Sequence, residues 1–238
     1  MSLLDDLTKE TDAIVKSAWK YRDGTVVPET SDLALGNEAV KLEATFLYAD
    51  LADSTELAVG TPEIAAEVFK AYLMGTTRII RALGGEVRSF DGDRVMGVFL
   101  EGAKNTAAAE AALKINYFFS YILRPAFTSF YAARSLSLTQ TVGVDTSNVR
   151  VIRSGIRNNN DLVWVGRAPN LAAKLSAIRN GYSTLISKTV FDMMLDTSKI
   201  SHYDFAPPNT VMWKTLTWAA GKAYGVETVY GSTWWWKP

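Results

Sequence analysis

The stretch Glu86-Val-Arg-Ser-Phe90-Asp-Gly-Asp93-Arg-Val-Met-Gly-Val-Phe99-Leu100 decides the fold. Residues 86–90 and 94–100 are strand-like runs on either side of Asp91-Gly92, a pair in which glycine supplies the backbone conformation that a tight reversal needs. The stretch reads as a β-hairpin with an acidic tip, and Asp93 sits just past that tip. Upstream, residues 41–50 read as another strand, ending in the acidic loop Asp50-Leu51-Ala-Asp53-Ser54-Thr55. Between strand and hairpin, Thr61 and Pro62 open a helix by cap and first-turn proline. Ala65, Val68, Phe69, Tyr72, Leu73, Ile79 and Ile80 form its apolar face, and Gly84-Gly85 closes it.

Downstream, residues 103–133 read as helical, with Pro125 as the expected kink. Residues 137–144 and 149–155 read as two strands joined by a loop over 145–148. The order is β-α-β-β-α-β, so the expected fold is α+β with a ferredoxin-like core. Appended to it are a polar loop at 158–161, a strand at 162–165 and a helix ending at Asn180-Gly181. Ahead of it lies an arm, residues 1–40. There Leu3, Leu7, Ile14 and Ala18 recur at helical spacing over 2–20, Ser2 and Asp5 suit a capping box, and 22–36 is turn-rich. The arm's apolar face suggests packing in a dimer. The tail Trp234-Trp235-Trp236 reads as packing or an interface.

Composition narrows the chemistry. The 238 residues include 25 Lys plus Arg against 25 Asp plus Glu, one His and no Cys. Zero cysteine excludes disulfides, thiolate nucleophiles and Cys-based zinc sites, and a lone His202 argues against His-rich metal centres and a Ser-His-Asp triad. His202 reads as an ordinary surface or core residue. Balanced charge gives no case for general nucleic-acid or membrane-surface binding. The N-terminus lacks a signal peptide's basic start and apolar core, and the most apolar stretch, 115–123, is about half a bilayer span, so the expectation is a cytoplasmic protein.

Chemistry must then rest on carboxylates, amides, Lys and Arg. Asp50 and Asp93 should converge at one edge of the sheet, because the strand ending at Asp50 pairs beside the hairpin. Two carboxylates without His or Cys suit hard divalent cations, Mg2+ or Mn2+, which in such sites usually grip phosphates. The loop reaching Thr55 can offer backbone N–H groups to the same phosphates. A strand-end Asp is also an ordinary turn or cap residue.

Four motifs in order, Phe46-Leu-Tyr48-Ala-Asp50-Leu51-Ala-Asp-Ser54-Thr55, Gly92-Asp93-Arg-Val-Met-Gly-Val-Phe99, Val142-Gly-Val144 and Gly166-Arg167-Ala-Pro-Asn170-Leu-Ala-Ala-Lys174-Leu, resemble the successive signatures of class III nucleotide cyclase domains. The resemblance covers about residues 42–186, and makes 41–238 the catalytic domain. It implies cyclisation of a nucleoside triphosphate, the ribose 3′-hydroxyl attacking the α-phosphorus as pyrophosphate leaves. Two divalent cations, Mn2+ or Mg2+, would be held at Asp50, Leu51 and Asp93. Ser54 and Thr55 would meet the nucleotide, Asn170 would position the ribose, and Lys174 would stabilise charge on the α-phosphate. That last position is usually Arg, so Lys174 keeps the charge and loses the fork. In the family Asn170 and Lys174 come from the opposite subunit, which implies a head-to-tail homodimer with two shared sites. Lys222 stands about where the family places a triphosphate-binding Lys, and a surface Lys reads the same way. Arg88 and Arg94 read equally as phosphate grips or as partners of Asp91 and Glu86.

Purine cyclases carry base-reading residues three before the Gly of the second motif and seven before the Asn of the fourth. Here 92 − 3 gives Ser89 and 170 − 7 gives Val163, and neither the Lys/Asp pair of ATP enzymes nor the Glu/Cys pair of GTP enzymes is present. Val163 offers no hydrogen bond to a purine edge. A smaller pocket lined by Tyr48, Phe90, Trp164 and Arg167 is expected. These departures are most similar to the pyrimidine cyclases of bacterial anti-phage (Pycsar) systems, whose cyclic nucleotide acts on a separate effector. The expected substrate is UTP. The alternatives are CTP, ATP in an atypical base pocket, or a catalytically silent cyclase-like binding module.

Overall fold

The computed structural model describes residues 2–52, 54–100, 102–201 and 209–238. The chain divides into a smaller unit, Met1–Glu43 with Asn148–Gly166, and a larger one, Ala44–Ser147 with Arg167–Pro238.

In the smaller unit, α1 (Leu3–Lys16) starts from a reciprocal cap: the Asp5 N–H donates to the Ser2 hydroxyl at 3.2 Å and the Ser2 N–H to the Asp5 carboxylate at 2.9 Å. This satisfies two of the N–H groups that every helix start leaves unpaired. The helix stops at Lys16 rather than running to 20, because the chain turns into β1 (Lys20–Asp23), which pairs parallel with the start of β2 (Glu38–Ala52). The Asn37 amide holds that turn by donating to the Ile14 and Ser17 carbonyls at 2.7 and 2.8 Å. No residue of α1 is buried.

In the larger unit the strand continues to Ala52, and the expected acidic loop is replaced beyond it by a short helix, α2 (Ser54–Gly60). Next comes α3 (Pro62–Ala82), with proline in its first turn as expected. The Thr61 hydroxyl, expected to cap α3, instead donates back to the Leu57 carbonyl of α2 at 3.2 Å. The hairpin is β3 (Glu86–Asp91) and β4 (Arg94–Phe99), with Asp91 opposite Arg94 and Gly92 at φ +61°. β4 pairs antiparallel with β2, Ala49 against Val95.

The long helical region is α4 (Lys104–Tyr117), a π-helical turn over Phe118–Leu123, and α5 (Arg124–Phe130). The irregularity thus directly precedes Pro125, which follows helical backbone at Leu123 and Arg124 and has no N–H to continue the ladder. The two strands expected at 137–144 and 149–155 are one continuous β5 (Thr139–Ile156), and the polar residues 159–161 lie inside β6 (Asn159–Gly166) rather than in a loop. The reversal between β5 and β6 sits at Asn158, φ +70°.

After β6 come α6 (Arg167–Ser176), β7 (Thr184–Ser187), α7 (Lys188–Met193), β8 (Lys214–Thr217) and β9 (Thr228–Ser232). The sheet order is β3-β4-β2-β5-β7-β9-β8, with β1 on β2 and β6 on β5. The path β2-α3-β3-β4-α4-β5 is the expected βαββαβ core. Leu47, Ala49, Leu51, Val95 and Phe99 face α3 and α4 in the main hydrophobic cluster. By the two-residue period of a strand, Tyr48, Asp50 and Met96 point to the other face. Gly143 of β5 lets α6 pack against the sheet, since a Cβ there would lie 2.1 Å from the Ala172 carbonyl oxygen. The tryptophan tail packs on α4: Asn116 donates to the Thr233 and Trp234 carbonyls, and Trp235 sits against Tyr117 and Tyr121.

Candidate active site

Asp50 lies near the end of β2, one residue past the Ala49–Val95 pair, and is 5% exposed. Its carboxylate meets two guanidinium groups, Arg94 Nε at 3.4 Å on Oδ1 and Arg179 Nη2 at 3.2 Å on Oδ2. Arg179 Nη2 also donates to the Leu51 carbonyl at 3.4 Å. Arg94 therefore pairs with Asp50 rather than with Asp91 or Glu86, while Arg88 lies 3.7 Å from Glu86.

Asp93 sits in the hairpin loop, half-buried. Burial pushes its carboxyl above the usual carboxylate range, the Ser54 hydroxyl opposes that by donating to it, and the nearby negative charge of Asp50 raises it further. Its Oδ2 is buried and has no hydrogen-bond partner. Beneath lies the fully buried Tyr72, whose hydroxyl donates to Gln140 Oε1 at 3.3 Å. Burial holds that phenol well above its ordinary value, and the charges of Asp50 and Asp93 add to the effect. The Asp50 charge thus acts on the Asp93 carboxyl, and both act on one phenol at this end of the sheet.

This donor set fits a hard divalent cation: two carboxylates, a backbone carbonyl at Leu51, and one carboxylate oxygen buried without a partner. The side chain of Leu51 belongs to the core, so only its carbonyl is available. Among the described residues no group of three or more His, Cys, Asp or Glu could hold a metal.

On the same face as Asp50, Tyr48, Met96 and Ser89 form one row across β2, β4 and β3, and the Tyr48 hydroxyl lies 2.8 Å from the Met96 sulfur. Phe90 is exposed, at 57%. Ser54 and Thr55 open α2 beside this edge, Ser54 on Asp93 and Thr55 toward solvent. Val163 and Trp164 lie on β6 in the smaller unit, opposite Ile152 and Val151.

α6 carries the other candidates. Arg167, at its start, sets its fork on the buried Asp145, Nε to Oδ2 at 3.1 Å and Nη2 to Oδ1 at 3.2 Å, and also reaches the Thr146 carbonyl at 2.9 Å. Burial pushes the Asp145 carboxyl up, and the Ser187 hydroxyl and Arg167 pull it back. Arg167 is therefore committed to a structural pair.

Arg167→Ala should cost on the order of 3 kcal/mol by leaving a buried carboxylate uncompensated. Asp145 binds its proton more tightly folded than unfolded, so its burial costs stability as pH rises above the usual Asp value of about 4. The variant's deficit against wild type should then be larger near neutral pH than in mild acid. Thermal melts at both pH values check this, and a pH-independent deficit would refute it.

Thr146, which Arg167 holds, hydrogen-bonds Thr45 at 3.0 Å, so the start of α6 is level with Thr45. Asp50 lies roughly 17 Å further along β2 at about 3.3 Å per residue. The ten residues of α6 span about 15 Å and bring Arg179, just beyond its end, to Asp50. Asn170 and Lys174, one turn apart between these ends, are exposed, and the Lys174 ammonium lies 5.3 Å from the centre of the Tyr224 ring. Lys222 is exposed beside Glu227, at 4.0 Å, in a cleft that also holds Arg167, Lys188 and Thr189. The acidic edge and this basic group are thus separate features of one unit. His202 and Asp53 lie outside the described residues.

The sequence reading missed Arg179 and Asp145. A basic residue after a helix reads as a partner for the helix dipole, and Asp145 in Asp-Thr-Ser-Asn reads as a turn, so neither carried a local signal of its role.

No protein-family model matches the chain. It is 39% identical over 239 residues to a uridylate cyclase of Xanthomonas perforans, covering 100% of this chain and 99% of that protein. It is 37% identical over 243 residues to a uridylate cyclase of Rhodovulum sp. (strain MB263), again covering 100% and 99%. Among solved structures, the adenylyl cyclase CyaB from P. aeruginosa matches with a TM-score of 0.66 at 23% identity, over 82% of this chain and 95% of that one. The fold is that of class III cyclase domains.

Proposed function

The chain belongs to the uridylate cyclase family, and from that membership we propose that it converts UTP to 3′,5′-cyclic UMP and pyrophosphate at the Asp50–Asp93 edge. The observation that carries the site is the buried, unpartnered Oδ2 of Asp93 within electrostatic reach of Asp50. Asp50, Asp93 and the Leu51 carbonyl would hold two divalent cations, Mn2+ or Mg2+, which when bound acidify the ribose hydroxyl and offset phosphate charge.

The rest falls to side chains. The 3′-oxygen forms its bond to the α-phosphorus as the bond to the β-phosphate bridging oxygen breaks. Charge grows on the α-phosphate, where the Lys174 ammonium would meet it. Asn170 orients the ribose, Lys222 meets the departing phosphates, and Ser54 with Thr55 flanks the triphosphate. As the resemblance to class III cyclases implies, Asn170 and Lys174 would serve the partner's site in a head-to-tail homodimer.

Ser89 and Val163 offer no purine-reading pair, and Tyr48 and Phe90 supply aromatic surface for a single-ring base. Residues 41–238 form the catalytic domain in this reading, with 1–40 as an appended arm. The cyclic UMP would be a cytoplasmic alarm signal read by a separate effector in anti-phage defence. No helix among the described residues is long and apolar enough to cross a membrane.

Equal concentrations of ATP, GTP, CTP and UTP, offered together with Mn2+, test the base assignment. Mass spectrometry should find cyclic UMP in clear excess. Cyclic AMP as the main product would overturn it.

A further inference from the structure

The oxygens that the cation reading assigns to a metal are already in contact with a cation of the chain's own. Arg179 Nη2 lies 3.2 Å from Asp50 Oδ2 and 3.4 Å from the Leu51 carbonyl, while its Nη1 donates to the Ser176 carbonyl at the end of α6. A divalent cation held by the same two oxygens at about 2.0–2.6 Å would bring its charge against the guanidinium, and like charges that close repel, so the two compete for the seat. Arg94 differs, because it approaches only the other carboxylate oxygen.

The Arg179 side chain is 36% exposed and borders a cavity of about 340 Å³ lined by Asn116, Ser120, Arg124, Gln140 and Ser183, so there is open volume beside it into which it can swing.

The geometry points to Arg179 as a resident counter-cation of the metal seat, which every incoming metal ion must displace. The inference rests on the reading of Asp50 and Leu51 as metal ligands. It makes metal loading an exchange. The idle seat has its charge satisfied, and loading frees the segment just after the helix that bears Asn170 and Lys174. Arg179 is thus a positioning residue that sets the metal concentration at which the site switches on.

Mn2+ binding to the full chain without nucleotide, followed by electron paramagnetic resonance of the free ion, separates the possibilities. Arg179→Ala should bind Mn2+ about tenfold more tightly than wild type, the gain expected when a charge-assisted hydrogen-bond competitor worth about one decade is removed. Arg179→Lys, which keeps the charge without the fork, should fall between them and serves if the alanine variant does not fold. Arg88→Ala removes a positive charge from the same hairpin without touching Asp50, and should bind as wild type does. Unchanged or weaker binding in both Arg179 variants, or an equal gain in Arg88→Ala, would overturn the role of Arg179. An Asp93→Ala chain that binds Mn2+ as well as wild type, or a wild type that binds none, would instead overturn the metal reading beneath it.

Discussion

Asp93→Ala should lower cyclic UMP formation from UTP by about a thousandfold or more, the scale of a lost cation contribution of several kcal/mol. The physical reason is the position of its carboxylate: one oxygen is buried without a partner, and the other end is steadied by Ser54. The loss should not come from unfolding. Burial raises the Asp93 carboxyl above its ordinary value, so the folded state favours the protonated form and ionising the group costs stability. Removing it should leave the metal-free melting temperature unchanged or raised, whereas a purely structural Asp would lower it. Chromatographic turnover assays and melts in a chelator read both effects. An active variant, or an inactive one that melts much earlier, contradicts the assignment.

Lys174→Ala should lower turnover about a hundredfold to a thousandfold, the usual loss when a donor to a developing negative charge is removed. The more telling experiment mixes it with Asp93→Ala. If Asp93 and Lys174 act in one site from different protomers, each variant alone is nearly silent. A mixed dimer then restores one intact site, from the Asp93 of one protomer and the Lys174 of the other. Statistical exchange of protomers makes half the dimers mixed, each with half its sites whole, so about a quarter of wild-type turnover should return. The exposure of Lys174, whose ammonium lies against Tyr224 rather than against Asp50, is what motivates this test. No recovery after verified exchange would place both residues in the same protomer's site.

Much of this was legible in local sequence because the decisive residues act locally. Gly92 at the hairpin tip, Pro62 at the start of α3, and the spacing from Ala65 to Ile80 each follow from backbone or packing rules within a few residues. The failures share the opposite cause. Asp145-Thr-Ser-Asn148 has the composition of a turn, yet lies within β5, because Arg167, 22 residues on, offsets the Asp145 charge. The polar run at 159–161 became strand because it pairs with 154–156 across the Asn158 reversal. Arg179 was invisible because its contact with Asp50 spans 129 residues and follows from where α6 ends against the sheet. Short-range pattern finds the acidic motif. Only tertiary packing reveals what already neutralises it.

Phosphorus NMR of UTP incubated with the wild-type protein and Mn2+ measures the central claim most directly. Cyclic UMP and pyrophosphate should grow in equal amounts, and neither should form with Asp93→Ala. UTP left intact by the wild type, UMP in place of the cyclic product, or undiminished cyclic UMP from the variant would contradict a cyclase built on Asp50 and Asp93.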